Sequence, residues 1–189
     1  MARLPTNINL SEDEVSQTIN LKDWMGVDFS SDPNLVRQIG QACIDYMTKR
    51  VDDNKGLGNE KLKSPYTKTY ADSLDFQAAG KSKNDVNMKL SGDMLGSIDL
   101  EESGNSFKIF IPSDESPKAY GHMTGFKGHP TIPEGKYKRQ FFGLTKEEFK
   151  KEIAPKFKGE KPKETERDLV GELIKTIKTA DNLFDIGEE

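Results

Sequence analysis

Apolar positions along this chain fall into short patterned runs set between long polar stretches. The most regular run follows Asp32-Pro33, where Leu35, Ile39, Ala42, Cys43, Tyr46, Met47 and Val51 recur at the spacing of one helix face. Aspartate is a good N-cap, and proline suits the first helical position because its missing N–H needs no partner there. The acidic, glycine-ended stretch Asp52-Asp53-Asn54-Lys55-Gly56 stops the helix. Residues 55–65 read as a loop, and residues 68–79 as a shorter second helix ending at Gly80. Strand-like alternation follows over residues 86–90, then a helical turn over 91–95 and a strand over 98–100. Gly104-Asn105 marks a hairpin turn into a strand whose Phe107, Ile109 and Ile111 share one face. Pro117 starts a short helix through Tyr120 and Met123. The pattern predicts a last strand over residues 137–142. Thr145 then caps a helix from Lys146 to about Phe157, and Thr145 with Glu148 fits a capping box.

The ends carry weaker patterns. Residues 1–31 read as a polar N-terminal arm with one short amphipathic piece holding Val15, Ile19, Leu21 and Trp24. The lone tryptophan, beside Met25 and Val27, anchors that arm, either on its own domain or on a partner. Residues 32–157 form the core. Beyond a charged linker at 158–163, Leu169, Leu173 and Ile177, flanked by Val170 and Ile174, draw a narrow apolar stripe along a C-terminal helix. That stripe docks on a neighbouring subunit or folds back at home, and the pattern leaves both open. The loop 125–135, rich in glycine and proline, has no periodicity with which to order itself.

Composition sharpens this picture. At 189 residues the chain suits one ordinary domain with appendages, yet only 33% of it is apolar, 32% is charged, and the mean hydropathy is −0.74. Either the core is small, or neighbouring subunits complete some apolar surface. The net charge of −4 excludes a generally basic nucleic-acid coat. The charge is uneven: residues 1–35 carry two basic and six acidic side chains, residues 108–158 eleven and six, and residues 159–189 five and nine. Such asymmetry either guides one subunit onto another or is the bias of a solvated surface. The single cysteine, Cys43, lies on an apolar helix face and reads as a small core hydrophobe. There is no basic-then-apolar leader pattern, and no apolar run approaches the roughly 20 residues that span a bilayer. The expected site of synthesis and assembly is therefore the cytoplasm, with no membrane partner.

Candidate chemistry is sparse. The two histidines, His122 and His129, match no zinc-ligand spacing. His122 is expected to orient a turn by hydrogen bonding, and His129 to sit in a loop. The segment from Gly121 to Gly128 holds glycines but lacks the Gly-Lys-Ser/Thr of a phosphate loop. Cys43 could act as a nucleophile only with a histidine partner, and the carboxylates sit in solvated runs that nominate no acid–base pair. The expectation is no catalytic residue, no metal, no cofactor, and no enzyme.

Three segments together carry a resemblance. Val86-Asn87-Met88-Lys89-Leu90-Ser91-Gly92-Asp93-Met94-Leu95-Gly96-Ser97-Ile98 resembles a strand followed by a Ser/Thr-Gly-x-(Met/Leu)-Leu-x-Ser-Ile turn. Ala119-Tyr120-Gly121-His122-Met123-Thr124-Gly125 resembles an Ala-x-x-His-x-x-Gly segment, and Arg139-Gln140-Phe141-Phe142-Gly143-Leu144-Thr145 an Arg-x-Phe-(Leu/Phe)-Gly-Leu-(Ser/Thr) ending. These are similar to the virion-morphogenesis and tail-completion proteins of tailed bacteriophages, neighbours of the neck and tail-terminator proteins, over roughly residues 64–157. The resemblance implies an α+β subunit with a small antiparallel sheet flanked by helices. Here that core would carry an extended N-terminal arm and a C-terminal helix. It also implies a homo-oligomeric ring, expected to be a hexamer, at the head–tail junction of the virion. Its partners would be other neck, tail-tube or connector proteins. A head–tail connector or minor capsid protein is the alternative, and a virion-associated enzyme a distant one. The expected subunit interface comprises Trp24, Lys127, His129, Arg139, Phe142, Leu173 and Ile177. The basic loop around Lys127 would contact either a neighbouring subunit or DNA phosphates in the lumen.

Overall fold

A computed structural model describes residues 4–62, 66–82, 84, 86–88, 93–126, 135 and 137–160. Its centre is a four-stranded antiparallel sheet of β1 (Ile8–Leu10), β2 (Val15–Asn20), β3 (Asp99–Ser103) and β4 (Ser106–Ile111), in the order β1-β2-β4-β3. The hairpin turns at Gly104-Asn105 as expected, pairing Ser103 with Ser106. Alternation along β4 buries Phe107, Ile109 and Ile111. Helix α2 (Pro33–Asp52) lies across β3 and β4, following the short α1 (Leu21–Met25). Asp32 caps α2 as the sequence predicts, its carboxylate accepting from the Leu35 N–H at 3.1 Å. Leu35, Ile39, Cys43, Met47 and Val51 form its buried stripe, so Cys43 is a core residue. The architecture is α+β, a small antiparallel sheet flanked by helices.

The N-terminal arm is corrected. Residues 15–20 form an internal strand, with Val15 paired to Ile111 on one side and to Leu10 on the other. Val15, Ile19 and Leu21 are wholly buried, and Phe29 nearly so. The strand reads as polar because Gln17, on the same face as Val15 and Ile19, is itself fully buried. The remaining elements are α3 (Lys68–Ala71), α4 (Leu74–Ala78), α5 (Asp93–Gly96) and α6 (Ser116–Thr124). The single helix expected over 68–79 is thus two turns, broken at Asp72-Ser73, where the Ser73 hydroxyl caps α4. Of the strand expected over 86–90, residues 86–88 form none, Met88 taking a left-handed φ of 59° that strand geometry excludes, and residues 89–90 lie outside the described residues. The strand expected at 98–100 begins at Asp99 and runs on to Ser103.

The expected strand over 137–142 is also absent. Residues 139–144 instead run through the interior as irregular chain, with Arg139, Phe141, Phe142 and Leu144 buried. Buried backbone must find hydrogen-bond partners, and here side chains supply many of them. Gln17 donates to the Leu144 carbonyl and accepts from its N–H, both at 2.8 Å. Arg50 donates to the carbonyls of Phe141 at 2.7 Å and Gly143 at 2.9 Å. The Phe142 and Gly143 N–H groups point at the sulfurs of Met123 and Met47. Gly143 is required: its φ is 90°, and a Cβ there would lie 2.5 Å from Ile8 Cδ1. The capping box of Thr145 and Glu148 forms as expected at the start of α7 (Lys146–Glu148). The chain beyond is not a regular α-helix: it widens to a π turn over Phe149–Ile153 and tightens to a 3₁₀ turn over Ala154–Phe157. Pro155, lacking an N–H, cannot continue an α-helical ladder there. The expected C-terminal helix lies outside the described residues.

Candidate functional site

Of the seven expected interface residues, three are described, and Trp24, Arg139 and Phe142 do not form one patch. Trp24, on α1, is half-buried and packs edge-on against Phe149 with ring centroids 5.1 Å apart. It therefore anchors its own domain. It also borders an open groove of about 770 Å³ shared with Leu4, Pro5, Asn20 and Lys146. Phe142 is 1% exposed and offers nothing to a partner: two adjacent phenylalanines both enter the core because the chain there is not a strand. Lys127, His129, Leu173 and Ile177 lie outside the described residues.

Arg139 is the informative case. Expected at a subunit interface, it is only 3% exposed, and it lines a cavity of about 320 Å³. The flat cation lies 4.9 Å from the Tyr66 ring centroid and 5.9 Å from that of Tyr137. Its Nη1 donates to His122 Nδ1 at 3.1 Å, and its backbone N–H donates to the His122 carbonyl at 2.7 Å. Arginine only donates, so Nδ1 accepts and the imidazole proton resides on Nε2. Burial, aided by the Arg139 charge, pushes the His122 pKa down to about 3, so the ring is neutral. Burial also pulls the Arg139 pKa below its usual value, opposed by the phenols of Tyr66, Tyr137 and Tyr70.

Local chemistry builds this socket from three segments. Thr67 caps α3, placing Tyr66 before the cap and Tyr70 one turn on. Tyr66, Tyr70 and Phe76 stack around one another with centroids 5.2–5.4 Å apart. Helix α6 supplies His122 and ends at Gly125, whose φ of 79° turns the chain so that Phe126 meets His122 edge-on at 5.0 Å. The Gly135 N–H donates to the Gly125 carbonyl at 2.9 Å. A Cβ on Gly125 would sit 2.6 Å from Gly135 Cα, so no other residue fits. His122 thus does act by hydrogen bonding, but to hold Arg139 and not merely to shape a turn.

The three tyrosines were not singled out in the sequence, although Tyr66 and Tyr70 stand one helical turn apart around a threonine cap. A second buried cation was also missed. Arg50 Nη1 meets Glu148 Oε1 at 2.7 Å, with side chains 1% and 6% exposed. Glu148 completes the capping box through its other oxygen, and the Tyr46 hydroxyl donates to Oε1 at 3.3 Å. This pair closes the core and lies on no cavity described here. Among the described residues, no cluster of three or more histidine, cysteine or acidic side chains could hold a metal ion. No helix among them is long and apolar enough to cross a membrane. No family model, curated protein or solved structure matches this chain.

Proposed function

We propose that the chain is a structural subunit of a tailed-phage virion, one that closes into a ring at the head–tail junction as tail-completion and tail-terminator proteins do. One observation carries this reading. Two of the three family-like segments pack as a unit: Arg139 bonds His122 through both backbone and side chain, and the Phe142 N–H points at the Met123 sulfur. The third segment joins them, since its α5 packs against α6. The described family-like residues therefore pack together, which supports reading them as one motif. Exposed apolar side chains support the same reading. Leu74 is 84% exposed and Tyr70 39%, in a chain whose low apolar content leaves little to waste on solvent. The role is structural, with neck, tail-tube or connector proteins as neighbours in the particle. Native mass spectrometry and electron microscopy of the purified protein test the reading directly. Closed rings, or the chain's presence at the neck of particles, support it; a monomer across all concentrations, absent from particles, rejects it.

A further inference from the structure

The sheet has two unlike faces. Its inner face carries α2, and the irregular segment lies against it through the bonds between Gln17 and Leu144. On the outer face Thr18, Asp99, Glu101 and Ser103 are exposed, while Lys108 and Phe110 of the central strand β4 are half-buried. An antiparallel sheet can leave one face in water, so openness alone points to no partner. The side chains on this face do. Lys108 is held between Glu14 and Glu101, at 3.0 Å from each, and its Nζ stands 4.8 Å from the centroid of the Phe110 ring. Asp99, paired with Phe110 across the strands, and Asp13, in the turn from β1 to β2, add further carboxylates. An apolar centre is thus bordered by more acids than Lys108 balances.

The reverse charge stands elsewhere on the same subunit. The π turn, whose Phe149 and Ile153 are buried, packs on α1 and α2. Residues 146–158 carry five lysines against three glutamates, of which Glu148 is spent on Arg50 and Glu152 meets Lys151 at 3.6 Å. Lys150, Lys156 and Lys158 are exposed around exposed Pro155 and half-buried Phe157. This turn belongs to the layer on the inner face, so within one copy the sheet itself separates the two surfaces. We propose that the acidic outer face of the sheet in one copy docks the basic turn of a second copy, lysines meeting the carboxylates around Phe110 while Pro155 covers its ring. The proposal rests on the ring reading: two different surfaces of one subunit make a head-to-tail contact, and such contacts close into rings when the rotation allows. It adds to that reading which surfaces meet and why. Opposite charge also steers the encounter and opposes the pairing of two like surfaces.

The test exchanges charges between two full-length chains, one of them ¹⁵N-labelled. The first carries Asp13→Lys and Asp99→Lys, the second Lys150→Glu and Lys156→Glu, and all four side chains are exposed. Each chain alone sets like charge against like and should associate about a hundredfold more weakly than the unaltered protein. Mixed in equal amounts, the two should assemble again, and native mass spectrometry should find both in equal numbers in each oligomer. Thermal melts followed by circular dichroism check the fold of each chain. Where a reversed chain melts early, Asp13→Asn with Asp99→Asn, or Lys150→Gln with Lys156→Gln, takes its place; weaker association supports the contact, and unchanged association overturns it. Oligomers that form unaltered from either reversed chain, or that fail to return on mixing, overturn the proposal and leave the ring standing. An unaltered protein that stays monomeric overturns the ring and the proposal together.

Discussion

Replacing Arg50 by methionine is the most incisive perturbation of the core. The Arg50 guanidinium makes three short bonds, to Glu148 Oε1 at 2.7 Å and to the carbonyls of Phe141 and Gly143 at 2.7 and 2.9 Å. Methionine keeps most of the volume and removes all three. It leaves a carboxylate buried without its counter-charge, for which the cost is about 3–5 kcal/mol. Two carbonyls also lose their donor, each of about 1–3 kcal/mol if nothing replaces it. One effect opposes these: Arg50 Nε has no hydrogen-bond partner among the described residues, and its removal relieves a buried polar atom. The expected loss for Arg50→Met is therefore about 4 kcal/mol or more. Glu148→Gln should cost only about 1–2 kcal/mol, since glutamine still serves the capping box. The double variant should be more stable than the sum of single losses implies, because no uncompensated charge remains. Urea unfolding reads all three, with the lone tryptophan as probe, since Trp24 rests on Phe149 next to Glu148. A loss below about 1 kcal/mol for Arg50→Met, or strict additivity in the cycle, refutes the idea that this pair holds the irregular segment in place.

Three further outcomes are expected. Deleting residues 1–31 removes the strand between β1 and β4 and should abolish the cooperative thermal transition followed by circular dichroism; a retained transition would restore the arm. Gln17→Met strips both Leu144 bonds and should lower stability by about 2–4 kcal/mol in urea titration, with little change if the amide were incidental. His122 has its folded pKa lowered to about 3 from the 6.5 of an unfolded histidine, so the unfolded chain takes up the proton first. Its contribution is fully present above pH 6.5 and is lost as pH falls toward 3, with a slope of up to about 1.4 kcal/mol per pH unit. In urea titrations between pH 6.5 and 5, His122→Gln should flatten that slope, and an unchanged slope would refute a neutral buried ring.

Elements stabilised by their own neighbours in sequence were legible. The Asp32-Pro33 start of α2, the alternation of β4, the turn at Gly104-Asn105 and the Thr145/Glu148 box all depend on contacts within a few residues. The misreadings share another cause. Residues 15–20 resemble an arm because Gln17 is polar, yet its amide is spent on Leu144, a partner 127 positions away. The segment at 137–142 resembles a strand because its apolar residues are dense, but its Phe141 carbonyl is met by Arg50 and its Gln140 carbonyl by the Leu57 N–H, not by a neighbouring strand. Arg139 resembles a surface charge, since arginine usually is one, until Tyr66 and His122 are brought to it from elsewhere in the chain. In each case a polar side chain acts inside the core, and local pattern carries no sign of that.

The same irregular segment serves the core at one end and the socket at the other. Arg139, at its start, lines the aromatic cavity, while Phe141, Gly143 and Leu144 are held two to five positions on by Arg50 and Gln17. A regular strand would have drawn its hydrogen bonds from a neighbouring strand, and its side chains would have alternated between two faces. Side-chain partners free the backbone to turn Arg139 into a cavity while the next apolar residues stay buried. The Arg139 side of the socket is thereby set by interactions deep in the core, whereas its rim, at Thr67, Tyr70 and Leu74, belongs to two short, largely exposed helical turns. Substitutions at the rim should leave the fold intact, whereas substitutions at Arg50 or Gln17 should lower its stability.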